Sequence, residues 1–164
     1  MLTDRVIRGA LPGEIRRAEW DEINGDMWEI PEHKMKMKRP HVVSLTRQTI
    51  SVLSALRLLT KNSRYLLPSA RDRSRPMSDG GTRTAIRAME FTGEEFTAHS
   101  FRSLASTVLN ENGWPPDVIE RQLAHEETNR IRAAYNRAEY PDQRREMMQW
   151  GADWCEGMIA RSSS

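Results

Sequence analysis

The chain carries one cysteine, Cys155, so no intramolecular disulfide can form and nothing in its composition points to an oxidising compartment. Apolar residues nowhere run to the roughly 20 that span a bilayer. The stretch Met1 to Arg8 puts charge where a secretory signal needs apolar residues. A soluble cytoplasmic protein with no membrane partner is expected. Internal repeats are absent, which excludes a solenoid, and no set of His, Cys and carboxylate residues has metal-ligand spacing, so no metal is expected. Net charge is also small: 25 Lys and Arg against 23 Asp and Glu give +2, so any binding surface has to be sought locally.

At 164 residues and 38% hydrophobic content, the chain is long enough for one core and short for two ordinary domains. Pro12 to Trp20 reads as a helix, with Pro and Glu in its first turn and Ile15 and Ala18 on one face. Asn24-Gly25 signals a turn, Met27 to Ile30 a strand, and His41 to Leu45 a β-branched strand reached through the basic turn Lys38-Arg39-Pro40. Arg47 to Leu59 spaces Ile50, Leu53 and Leu56 as a helix does, and Asn62-Ser63 ends it before the short apolar stretch Tyr65-Leu66-Leu67. Pro68 to Asp79 mixes Pro, Ser, Arg and Asp as solvated loops do. Helical patterns follow at Thr82 to Met89, Ala98 to Glu111, Pro116 to Ala124, Asn129 to Ala138 and Asp142 to Ile159. This order predicts an α+β fold, mainly helical, with a small three-stranded antiparallel sheet near the N-terminus; the lack of βαβ alternation argues against a doubly wound sheet.

Two short motifs bear on chemistry. In Thr97-Ala98-His99-Ser100-Phe101-Arg102, a helix beginning near His99 sets His99 and Arg102 one turn apart, where both can reach one phosphate. Leu123-Ala124-His125 is followed ten positions later by Tyr135 in Ala133-Ala134-Tyr135-Asn136-Arg137. Taken singly, each has an ordinary reading: local hydrogen bonds at a helix start, or a half-buried tyrosine. Their order is more informative. His-x-x-Arg, then Leu-Ala-His, then a tyrosine resembles the C-terminal signature of the tyrosine recombinase, or phage integrase, family. Upstream, Pro12-Gly13-Glu14-Ile15-Arg16 with Trp20 is similar to the family's R-P-G-E-L segment and its tryptophan, and Lys34 to Leu45 to its lysine-bearing β-hairpin. The wording of Trp114 to His125 and Arg132 to Arg137 is most similar to integrases of the P4 prophage type.

The resemblance implies the tyrosine recombinase catalytic fold and a DNA cutting and rejoining reaction needing no cofactor. Tyr135 would be the nucleophile, forming a 3′-phosphotyrosyl link and a free 5′-hydroxyl. Arg102 would bind the phosphate through two parallel hydrogen bonds. His99 and His125 would contact non-bridging oxygens or move protons, and Lys36 would protonate the departing 5′-oxygen. Tyr140 competes as nucleophile, but Pro141 follows it directly, so Tyr135 is preferred. Lys34, Lys38, Arg39, Arg71, Arg73 and Arg75 are the expected contacts to double-stranded DNA at an attachment site, with strong salt dependence.

Two departures accompany the resemblance. The family's first catalytic arginine immediately precedes Pro-Gly-Glu, and that position is Leu11; Arg8 and Arg16 lie nearby but out of place. The family's arm-binding and core-binding domains ordinarily precede the catalytic one, so residues 1–164 are expected to form a single, N-terminally truncated catalytic domain. A catalytically inactive DNA-binding or interaction remnant is the alternative, and a type IB topoisomerase-like activity would use the same residues. Met147, Met148, Trp150, Trp154, Met158 and Ile159 give the last helix apolar surface that either packs on its own core or docks on a neighbouring subunit in a tetrameric synapse.

Overall fold

The computed structural model describes residues 12–35, 40–81, 84, 98–123 and 140–162. The expected helices at Thr82 to Met89 and Asn129 to Ala138 fall largely or wholly outside them, as do the turn residues Lys38 and Arg39.

Helix α1 is Pro12–Arg16, shorter than its sequence pattern suggests. The chain turns out of it because long-range backbone pairing outweighs continued helix. Glu19 is extended and bridges antiparallel to Tyr65, Trp20 N–H donates to the Arg64 carbonyl at 3.0 Å, and Leu66 N–H donates to the Ala18 carbonyl at 3.0 Å. The brief apolar stretch after the second helix therefore pairs with the segment just past α1, burying Ala18 and Leu66 together. A 3-10 turn at Trp20–Glu22 then leads into the sheet.

Strands β1 (Ile23–Asn24), β2 (Met27–Ile30) and β3 (His41–Ser44) form an antiparallel sheet in that order. Asn24 pairs with Met27, so Gly25 and Asp26 make the hairpin loop, and Gly25 takes φ +60°, which a glycine adopts without steric cost. Between β2 and β3, Trp28 faces Val43 and Ile30 faces His41 on the buried side, while Glu29 and Val42 point outward. This is the two-residue alternation of a sheet covered on one face. The expected basic hairpin is entered differently: Glu32–Lys34 is a 3-10 turn, so Lys34 does not lie on a strand.

The Thr46 hydroxyl caps α2 (Arg47–Thr60) by accepting from Thr49 N–H at 3.2 Å. Leu53 is buried and Ile50 and Leu56 half-buried, the face expected from their spacing. The loop after Leu67 is solvated from Ala70 to Arg75, yet ordered by a Pro68–Pro76 bridge and by Ser69 N–H to the Arg75 carbonyl, 2.9 Å. Helix α3 spans Ala98–Glu111, with the bounds the sequence pattern suggests, and ends at Gly113, whose φ is +80°. Pro115 and Pro116 start α4 (Pro116–Gln122). Helix α5, Pro141–Ser162, closes the described structure.

Among the described residues, two apolar clusters make up the core. Ala18, Trp28, Ile30, Met35, Val43, Leu53 and Leu66 pack beneath the sheet and α2; Leu109, Val118, Ile119 and Leu123 pack between α3 and α4. Helix α5 belongs to both, through Met148 and Ala152 in the first and Met147 in the second. Its apolar stripe is thus used within the chain, and Met158 and Ile159 are its exposed large apolar residues.

Met147 is fully buried, so Met147→Ala leaves a cavity where α5 meets α3 and α4. A loss of about 3 kcal/mol is expected, read as a lower denaturant midpoint with unchanged slope. A change below about 0.5 kcal/mol would mean that the stripe does not carry the packing.

Candidate active site

The first turn of α3 carries positions 99 and 102, one helical turn apart, at the end of the helix where backbone N–H groups have no helical acceptor and the dipole favours an anion. The helix itself begins where the sequence pattern puts it; the side chains of His99 and Arg102 lie outside the described residues. So do Lys36, His125, Tyr135 and Leu11. The described elements nearest to them in sequence are α4, β3 and α5. Helix α4 and the buried Leu123 run up to residue 124, β3 descends from the Lys36 segment, and α5 follows from the Tyr135 segment. Tyr140 is half-buried against the second core cluster, with φ +46° directly before Pro141.

Lys34, expected at the DNA backbone, is placed inside an ion-pair network. Its ammonium group sits 2.9 Å from Glu19, pairs with Glu22 and donates to the Arg17 carbonyl at 2.9 Å. Its three protons therefore all have acceptors within the protein, and the side chain is 11% exposed. Glu22 also accepts from Trp28 Nε1 at 3.0 Å, and Glu19 from Arg64 Nε at 2.8 Å. Burial alone would raise the Glu19 carboxyl, but the hydrogen bonds from Lys34 and Arg64 outweigh it and hold the group below the ordinary glutamate value. Met35, the next residue, is buried in the core. Two consecutive residues thus anchor the chain immediately before Lys36.

The arginines of the loop after Leu67 have three different environments. Arg73 donates to the Leu59 carbonyl at 2.7 Å, satisfying an end of α2. Arg75 lies 3.3 Å from Asp72, whose carboxyl is held low by the Ser74 hydroxyl and backbone N–H. Arg71 is exposed, and among the described residues its guanidinium has no ion-pair partner. Exposed Arg57, Lys61 and Arg64 extend this basic surface along the end of α2; Arg57 stacks over the Trp20 ring at 4.6 Å. Arg16 donates to the Met77 carbonyl at 2.9 Å and pairs with Asp79 at 2.9 Å, so it ties α1 to the end of this loop.

Sequence reasoning missed Arg144. It is 4% exposed, its Nε donates to Gln122 Oε1 at 2.8 Å, and its terminal nitrogen donates to the Val42 carbonyl. The available signal was its place on the stripe Arg144, Met148, Ala152 and Cys155, spaced by four, four and three residues along one helix face. Burial pushes the Cys155 thiol up, away from the reactive thiolate. Among the described residues, no group of three His, Cys, Asp or Glu side chains is placed to hold a metal, and no helix is long and apolar enough to cross a membrane.

The model of the phage integrase family matches residues 7–141. The chain is 42% identical over 144 residues to prophage integrase IntA of Escherichia coli K12, covering 87% of this chain and 35% of that protein. It is 39% identical over 160 residues to the integrase of Enterobacteria phage P4, covering 87% of this chain and 36% of the relative. With the integrase of Shigella phage Sf6, identity is 36% over 149 residues, 89% of this chain and 38% of the relative. The chain thus spans little more than a third of the length of these relatives. No solved structure matches it.

The Lys34 network yields two expectations. Lys34→Met leaves Glu19 and Glu22 without their shared cation and should cost about 3 kcal/mol in urea unfolding near neutral pH. For Glu19, the folded pKa lies below the unfolded one, so the unfolded chain binds more protons between the two values. Its contribution is complete above the ordinary carboxylate range and is lost as pH falls through the folded value. Glu19→Gln should therefore be less stable than wild type near pH 7 and lose less stability between about pH 5 and about pH 3; parallel pH profiles would contradict this account.

Proposed function

Because the chain belongs to the phage integrase family, we propose that it cuts and rejoins double-stranded DNA at an attachment site through a 3′-phosphotyrosyl intermediate, with the tyrosine recombinase catalytic fold. Relatives named integrases, similar over most of the chain, support recombination in general. The observation that carries the finer reading is α3, a helix whose first turn bears positions 99 and 102: a helix start favours an anion, and His99 and Arg102 are residue types that would add an imidazole and a guanidinium to it.

In this reading the Tyr135 oxygen attacks phosphorus, the bond to the 5′-oxygen breaks, and Lys36 supplies the proton that the departing oxygen takes up. A phenol with an ordinary pKa of about 10 is a weak nucleophile near neutral pH. His99 or His125 takes its proton as attack proceeds, while Arg102 stabilises charge on the non-bridging oxygens. Religation reverses these steps with a new 5′-hydroxyl. Arg71, Arg73, Arg75, Lys38 and Arg39 contribute phosphate contacts, with Arg71 the most available of the described ones; Lys34 supports the lysine-bearing segment from within. The reaction belongs in the cytoplasm, where DNA is accessible, and a tetrameric synapse is the assembly it would use.

Leu11 favours a second reading. A leucine cannot donate to phosphate, and loss of one preorganised donor costs about a hundredfold to a thousandfold in rate. Arg16 does not replace it, since its guanidinium is engaged with Asp79 and Met77. A DNA-binding module with residual or no chemistry would then be what the chain provides.

A nicked attachment-site duplex that traps the covalent intermediate separates the two. Wild type should form an adduct slowly, Leu11→Arg should accelerate it about a hundredfold, and Tyr135→Phe should abolish it with DNA binding intact. Absence of adduct in both wild type and Leu11→Arg would reject strand transfer. Arg71→Ala should weaken binding to all sequences alike and reduce the salt slope by about one unit.

A further inference from the structure

Three segments leading to or from proposed reacting groups meet at one buried guanidinium. Arg144 sits in the first turns of α5, nine residues after Tyr135. Its Nε bonds Gln122 Oε1, three residues before His125, and its terminal nitrogen bonds the carbonyl of Val42, six residues after Lys36. Gln122 is 1% exposed and Arg144 4%, so the bond between them is shielded from water, while the bond to exposed Val42 is partly buried. Strand β3 is an edge strand, and the Val42 carbonyl is closed off by Arg144 rather than by a further strand.

Stability alone is a poor reason for this arrangement. A guanidinium remains charged at every relevant pH, and its removal from water is costly enough that an apolar side chain of similar volume often serves a core equally well. An arginine does what an apolar residue cannot: its planar fork fixes the directions of its donors, so partners on different elements are held at set angles to one another. The geometry points to Arg144 as a positioning residue that fixes α5, α4 and β3 relative to one another, the elements from which the chain continues to Tyr135, His125 and Lys36. Being buried, it would act through these elements rather than on DNA itself. This inference rests on the strand-transfer reading.

The test uses the full chain with Arg144→Lys, which keeps the charge but loses the fork, and the double variant Arg144→Met with Gln122→Met, which removes both buried polar side chains. Arg144→Lys is expected to unfold cooperatively and bind the duplex within about twofold of wild type, while amide exchange quickens together in Val42–Ser44 and at Gln122 and Leu123. Adduct formation should slow about a hundredfold, as misplaced reacting groups do. The double variant should recover thermal stability relative to Arg144→Met without recovering the adduct rate, whereas a purely structural role predicts that the two recover together. Wild-type exchange at both β3 and α4 in Arg144→Lys, or an adduct rate that follows stability across the set, overturns the inference while leaving strand transfer standing. No adduct from wild type or Leu11→Arg removes the strand-transfer reading, and this inference with it.

Discussion

The buried stripe of α5 is the constraint on which the rest of the described structure depends. The sheet with α2 and the α3–α4 pair each enclose an apolar cluster, and α5 supplies side chains to both through Met147, Met148 and Ala152. Full burial of a methionine side chain stabilises by about 1.5–3 kcal/mol, so these two are a sizeable share of the net stability of a domain this size. Polar groups then set the helix's rotation. Gln149 Oε1 accepts the Arg47 backbone N–H at 3.1 Å, occupying one of the orphan donors at the start of α2. Asp153 receives Gln48 at 2.7 Å and Arg47 at 3.1 Å; the Gln48 bond leads the effects that hold its carboxyl low.

A second constraint lies at the opposite edge of the first cluster. Glu19 and Glu22 stand close enough to share one ammonium group, and two partly buried carboxylates without a cation would repel each other and lose hydration. Lys34 resolves both problems, and Glu22 is further occupied by Trp28 Nε1. The indole is thereby satisfied while its rings fill the core beneath β2. The consequence is local: the basic segment containing Lys36 is not uniformly available to solvent, because its first lysine belongs to the fold.

What was legible in the sequence follows the range of the forces involved. Strand β2, the Gly25 hairpin, α2 and α3 are governed by alternation, turn chemistry and helical spacing within a few residues, and each lies where those patterns put it. Helix α1 is shorter than expected because pairing with residues nearly fifty positions away draws Glu19 into an extended conformation. The same applies to the site. The order of His99, Arg102, His125 and Tyr135 is legible as a family pattern. Lys34 reads as a surface cation because its acceptors come from the preceding loop, and Arg144 escapes local pattern because its partners lie on α4 and β3. Arg145, its neighbour in sequence, is half exposed and pairs with Asp26 at the hairpin. One position of rotation on α5 separates a buried cross-link from a surface ion pair.

That contrast bears on how a site of this kind tolerates change at position 11. In the proposed strand-transfer reading, a phosphate held at the start of α3 would meet a helix dipole and Arg102 whether or not another guanidinium is present, so binding would rest on several contributions that overlap. Transition-state stabilisation is less forgiving, since charge gathers on particular oxygens and each donor must already point at them. In that reading, a leucine in place of an arginine at position 11 would act mainly on rate and only weakly on affinity. The packing that sets β3, α4 and α5 runs through Met147, Met148 and Arg144, none of which the proposed chemistry uses.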